Sequence, residues 1–132
     1  MTVLLAYVRT PEGDAALTVA VQETQLRATD AVVLNVTRPQ ADIDSPFSAE
    51  QTLDAVAERF AALGLNAEIW QVPPTGDVAQ AILDAVDKAG AELLVIGLRR
   101  RSAVGKFVMG STSQRILLGA DCPVVAVKAA ED

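Results

Sequence analysis

Between Gly97 and Ile116 the chain reads GLRRRSAVGKFVMGSTSQRI, a stretch with five cations, three glycines and no acid. Those residue types suit an anion. Glycine lets backbone N–H groups come close, hydroxyls and guanidinium groups donate to charged oxygens, and a helix start adds unpaired donors and a positive dipole end. Gly97 ends an apolar run and permits a sharp turn, Gly110 stands just before a predicted helix, and Ser111 with Gln114 matches an S-x-x-Q capping box. Each feature also has a purely structural reading: Ser111 as a cap, Gly97 and Gly110 as turn residues, the arginines as a solvated face. Together, at one end of one strand, they point to phosphate.

Other chemistries are excluded by what is missing. The chain contains no histidine, which removes Ser-His and Cys-His nucleophile pairs, zincin motifs and most transition-metal sites. A Walker A loop would need glycine at Arg100 and a hydroxyl at Phe107. VRTPEG after the first strand lacks the glycine spacing of a dinucleotide fold. A phospho-acceptor domain would want acids where Val8 and Arg9 stand, and an Asp where Gln71 and Val72 stand. No catalytic residue and no metal ligand is assigned, and the protein is not read as an enzyme.

The elements that must position the loop follow from periodicity. TVLLAYV (Thr2 to Val8), AVVLNV (Ala31 to Val36), LNAEIWQV (Leu65 to Val72), ELLVIG (Glu92 to Gly97) and PVVAVK (Pro123 to Lys128) read as strands. Helices are predicted from Pro11 to about Thr29, from about Ala49 to Leu63 with Leu53, Val56, Phe60 and Leu63 inward, from about Asp77 to Ala89, and from Ser111 to about Gly119. Right-handed crossovers then give a doubly wound α/β protein with a five-stranded parallel sheet in the order 3-2-1-4-5, flavodoxin-like, as a single domain over residues 1–132. Its switch point lies between the first and fourth strands, so the basic loop opens onto the ligand crevice of such a sheet.

Composition sets the surroundings. The net charge is −6, yet from Leu93 to Ala120 there are five cations and no acid, while the remainder carries six cations against 17 acids. A small anion is drawn to the first region and a long nucleic acid is repelled by the rest. No apolar run approaches the roughly 20 residues of a membrane span, and the only cysteine, Cys122, fits a reducing compartment; a cytoplasmic location follows as an expectation. Cys122 is read as a packed small residue, and Trp70 as a cover for apolar surface on the third strand.

With that order in place, TGDVAQAILDAVDKAGAELLVIG and GSTSQRILLGADCPVVAVK resemble the third helix, fourth strand and closing block of the universal stress protein family, along nearly the whole chain. The resemblance implies the adenine-nucleotide hydrolase-like sheet given above and a homodimer made through the last strand. It also implies an ATP or AMP site with the loop G-x2-G-x9-G-[ST]. Carried over by position, Gly97 is the first glycine, Gly110 the third and Ser111 the hydroxyl, with Thr112 beside it. Ile96 precedes the motif, and Val36 falls where such proteins contact adenine.

Two positions depart from that pattern. Arg100 stands where the second glycine belongs, and either obstructs the backbone or replaces its donors with a bidentate guanidinium contact. Val8 stands where ATP-binding relatives usually carry an Asp near the nucleoside. Two further readings therefore remain beside nucleotide binding: a nucleotide-free dimeric interaction module whose arginines dock an acidic partner, and a weak ATP hydrolase.

Overall fold

A computed structural model describes residues 2–36, 49–71, 76–98 and 110–129, with backbone alone for 49–52. The basic segment 99–109, which includes Arg100, and the polar loop 37–48 lie outside the described residues. The order is β1 (Thr2–Tyr7), α1 (Pro11–Arg27), β2 (Asp30–Asn35), α2 (Ala49–Ala61), β3 (Ala67–Gln71), α3 (Val78–Ala89), β4 (Ala91–Leu98), α4 (Ser111–Gly119) and β5 (Val124–Lys128). All four strand pairs are parallel and the sheet runs β3-β2-β1-β4-β5, as expected from the sequence.

Alternation along the central strands divides the core in two, because successive side chains of a strand point to opposite faces. Leu4, Ala6, Leu94, Ile96 and Leu98 face α3 and α4, and meet Ile82 and Val86 of α3 and Ile116 of α4. Val3, Leu5, Tyr7, Leu93 and Val95 face α1 and α2, where Phe60 is fully buried. Burying a side chain of that size contributes about 2–3 kcal/mol. With helices on both faces, the middle strands are apolar throughout, which is why β1 and β4 read as unbroken runs.

Several boundaries differ from expectation, each for a local reason. α1 ends at Arg27, not near Thr29: Ala28 takes a left-handed backbone (φ 52°) and donates its N–H to Thr24 and Gln25 carbonyls. Glycine normally marks such a stop, and an alanine gives no such signal. α2 stops at Ala61, so Leu63 lies beyond it and is 48% exposed instead of facing the core. β3 covers only Ala67–Gln71, and β5 starts at Val124, one residue past Pro123, whose carbonyl still accepts the Leu94 N–H at 3.0 Å. β4 runs on through Gly97 to Leu98, so Gly97 sits inside a strand and not at a turn.

The two sheet edges are unlike. On β3, Glu68 and Gln71 are exposed, and Trp70 packs on the α3-side core beneath Lys88, whose Nζ lies 5.0 Å from the ring centroid. On β5, four consecutive apolar residues, Val124 to Val127, are each half-buried.

Candidate functional site

The switch point falls at the carboxyl ends of β1 and β4, where the chain leaves β1 towards α1 on one face and leaves β4 towards α4 on the other. There Gly97 of β4 meets the first turn of α1.

On the α1 side the fit is tight. Thr10 is the N-cap of α1, its hydroxyl accepting the Gly13 N–H at 3.0 Å, and Pro11 fills the first helical position where its missing donor does no harm. The Val8 carbonyl folds back over the helix start and accepts the Thr10 N–H at 2.8 Å. That carbonyl lies so near Gly13 that a Cβ there would meet its oxygen at 1.7 Å. Gly97 presses on the same turn from β4: a Cβ there would meet the Glu12 carbonyl oxygen at 2.6 Å. Its glycine is therefore required by close approach of backbone, not by the turn expected of it.

Below this turn Tyr7 is buried, and its hydroxyl donates to Asp14 Oδ1 at 2.9 Å. Burial, then the hydrogen bond to Asp14, pushes the phenol well above its ordinary range, so it remains a donor. Beside it Asn35 of β2, also buried, donates to Gln71 Oε1 at 2.9 Å.

On the α3 and α4 side the walls are apolar. Val36 and Ile96 are each 4% exposed and share one cluster with Leu98, while Val8 packs against it half-buried. Val36 extends the β1–β2 ladder by donating its N–H to the Tyr7 carbonyl at 2.9 Å. With their side chains in the core, Val36 and Ile96 can offer a ligand backbone and an apolar floor.

At the start of α4 the expected capping box does not form. Gly110, extended at φ −71° and ψ 160°, is the N-cap, and Ser111 is the first helical residue; among the described residues no side chain caps the helix. The Gln114 N–H bonds to the Gly110 carbonyl as ordinary helix. Among the described residues the first-turn N–H groups thus have no side-chain acceptor, and Gly110, Ser111 and Thr112 are all exposed. This is the arrangement that receives an anion at a helix N-terminus. The structure brings Val36 and Ile96 together on one side of the crevice, sets Gly97 under α1 and leaves Gly110, Ser111 and Thr112 open at α4; Arg100 lies outside the described residues.

Charge around α4 is partly committed. Arg115 pairs with Asp77, the N-cap of α3. That contact, followed by the Gln80 N–H, holds the Asp77 carboxyl below the usual carboxylate range. Sequence patterns did not reveal this pair, because the partners are 38 residues apart. Nor did they single out Gly13 or Thr10, although Thr-Pro ahead of an apolar-periodic run is a helix-start signal. Cys122 is half-buried on the α3-side core, and burial, then the nearby Asp121, pushes its thiol up, away from thiolate chemistry.

Comparison with known proteins adds to this geometry. The model of the universal stress protein family matches residues 1–128. A universal stress protein of Mycolicibacterium smegmatis is 38% identical over 127 residues, covering 96% of both chains. A universal stress protein of Archaeoglobus fulgidus superposes with a TM-score of 0.73 at 25% identity, over 96% of this chain and 97% of the other. Another universal stress protein, solved in complex with cAMP, superposes with a TM-score of 0.73 at 20% identity, over 98% of each chain.

Proposed function

The chain belongs to the universal stress protein family, and from that premise we propose that it binds an adenine nucleotide at the β1–β4 switch point. The observation that carries the reading is the start of α4, with Ser111 and Thr112 exposed beside donors that no side chain among the described residues satisfies. In this arrangement the N–H groups of the first turn and the two hydroxyls hold phosphate, and the apolar surface near Val8 and Val36 receives the base. That a protein of this fold has been solved with cAMP accords with the same choice of ligand. Arg100, from the adjoining basic segment, adds charge.

Calorimetry with ATP, AMP and cAMP tests the proposal. Saturation at about 100 times the dissociation constant should add roughly 2.7 kcal/mol to stability, which a melting curve reads independently. Changing Ser111 and Thr112 together to Ala should weaken ATP by about tenfold or more, since hydrogen bonds to a charged group contribute about 1.5–3 kcal/mol each. Absence of both heat and thermal shift at millimolar ligand would sink the reading.

One observation favours the nucleotide-free interaction module instead: Val8 packs into the apolar cluster and brings no polar group to a nucleoside. The same titrations separate the two, since the module gives no heat with any nucleotide.

The protein acts by binding and not by turnover in this proposal, a reading supported by the acid-free sequence from Leu93 to Ala120. Its proposed location is cytoplasmic. Among the described residues no helix is long and apolar enough to cross a membrane.

The proposed oligomer is a homodimer through β5. Its apolar outer edge, unlike the charged and covered edge at β3, leaves backbone groups and half-buried valines for a partner strand. Sedimentation at micromolar concentration should give twice the 13.8 kDa chain mass; a stable monomer would refute it.

A further inference from the structure

Arg115, in the second turn of α4, pairs with Asp77 at the start of α3. Asp77 divides its carboxylate between two donors: Oδ1 accepts the Gln80 N–H at 3.2 Å, and Oδ2 takes Arg115 Nη1. Both side chains are 50% exposed. Arg115 follows Ser111 by four residues and Thr112 by three, so the three share one flank of α4, and a long helical side chain leans back towards the N-terminus. Here it reaches Asp77, the N-cap of α3. Asp77 and the first turn of α4 both lie at the carboxyl end of the parallel strands, so the guanidinium is held at the end of the sheet where α4 begins, on the helix flank that Arg115 shares with Ser111 and Thr112.

We propose that Arg115 is a shared cation, resting on Asp77 while the first turn of α4 is empty and drawn to phosphoryl oxygens when a nucleotide is bound, so that Asp77 restrains affinity for polyphosphate. This rests on the nucleotide reading given above. An exposed ion pair is worth little, so releasing or sharing the cation opposes binding only weakly. The guanidinium has five donors in a fixed fork and can engage two acceptors at once. Asp77, held below the usual carboxylate range, keeps its negative charge near neutral pH and so opposes an incoming phosphate. The effect must therefore grow with the number of phosphates and vanish for the bare nucleoside.

Titrations of ATP, AMP and adenosine into wild type, Asp77→Asn and Arg115→Gln test this, with circular dichroism melts to show that each variant is folded. Asparagine caps a helix as well as aspartate does, so the first substitution removes charge while α3 keeps its start. Asp77→Asn should tighten ATP by about two- to fivefold and Arg115→Gln should weaken it by a similar factor. AMP should respond less, adenosine not at all, and the differences should shrink at roughly half-molar salt. If both substitutions weaken ATP, if neither moves it, or if adenosine shifts in step, the pair is only a clamp between helices and the shared cation is overturned. A wild type that binds none of the three ligands overturns the nucleotide reading; the shared cation falls with it if Asp77→Asn is silent too, and is supported if that variant alone takes ATP.

Discussion

Replacing Gly13 by Ala is expected to lower stability by about 4 kcal/mol, although the residue lies inside a helix. The added Cβ would stand 1.7 Å from the Val8 carbonyl oxygen, 2.9 Å from its carbon and 3.2 Å from Thr10 Oγ1. A flexible side chain could rotate away from such an overlap, but a backbone carbonyl at the end of a central strand cannot. The overlap displaces the loop from Val8 to Thr10 at about 1–3 kcal/mol or more for overpacking, and the displaced Thr10 loses its cap on the Gly13 N–H for about another 1 kcal/mol. The sign of the change is diagnostic. An ordinary glycine within a helix gains about 0.5–1 kcal/mol on becoming alanine. Urea unfolding should show the loss as a lowered midpoint, and thermal unfolding as a fall of roughly 12 °C or more; a rise in either would show that the close approach to Val8 is wrong.

Gly97→Ala is expected to lower stability by about 2–3 kcal/mol. Here the Cβ would meet the Glu12 carbonyl at 2.6 Å from oxygen and 2.8 Å from carbon, a milder overlap that a shift of the first turn of α1 can relieve in part. Glycine in a strand interior is otherwise unfavourable, so a structurally idle Gly97 would give a gain on the same urea measurement. Both substitutions strain the first turn of α1, one from β1 and one from β4. A double mutant should consequently lose less than the sum of the two single losses, because a turn already pushed aside by the first methyl group leaves room for the second.

Much of the architecture was legible in the sequence. Unbroken apolar runs at Val3–Tyr7 and Leu93–Ile96 identified strands buried on both faces, and the spacing of Val56 and Phe60 identified a helix with one inward side. Once those were ordered with right-handed crossovers, the position of the crevice followed. Local rules failed where a neighbour distant in sequence decides the outcome. Gly97 reads as a turn residue because glycine after a strand usually is one; the Glu12 backbone that requires it is 85 residues earlier. Ser111 reads as a cap because S-x-x-Q usually is one, yet Gly110 takes that place and the hydroxyl stays free of the role. Leu63 continued the helical period of Val56 and Phe60, but the helix had already ended. Arg115 looked like one more solvated cation until folding brought α3 beside it.

The position of β1 in the middle of the sheet has a consequence for synthesis. On the ribosome β1 and β2 emerge early and can pair at once, but the other side of β1 waits for β4, which begins at Ala91. At ~5–20 residues per second, the chain from 36 to 90 takes about 3–11 s to appear. Through that interval the strand TVLLAY presents an unpaired apolar edge, the kind of surface that invites pairing with another chain. The nascent protein is thus most vulnerable to aggregation before its fourth strand is made, and a ribosome that pauses within α2, β3 or α3 lengthens that exposure.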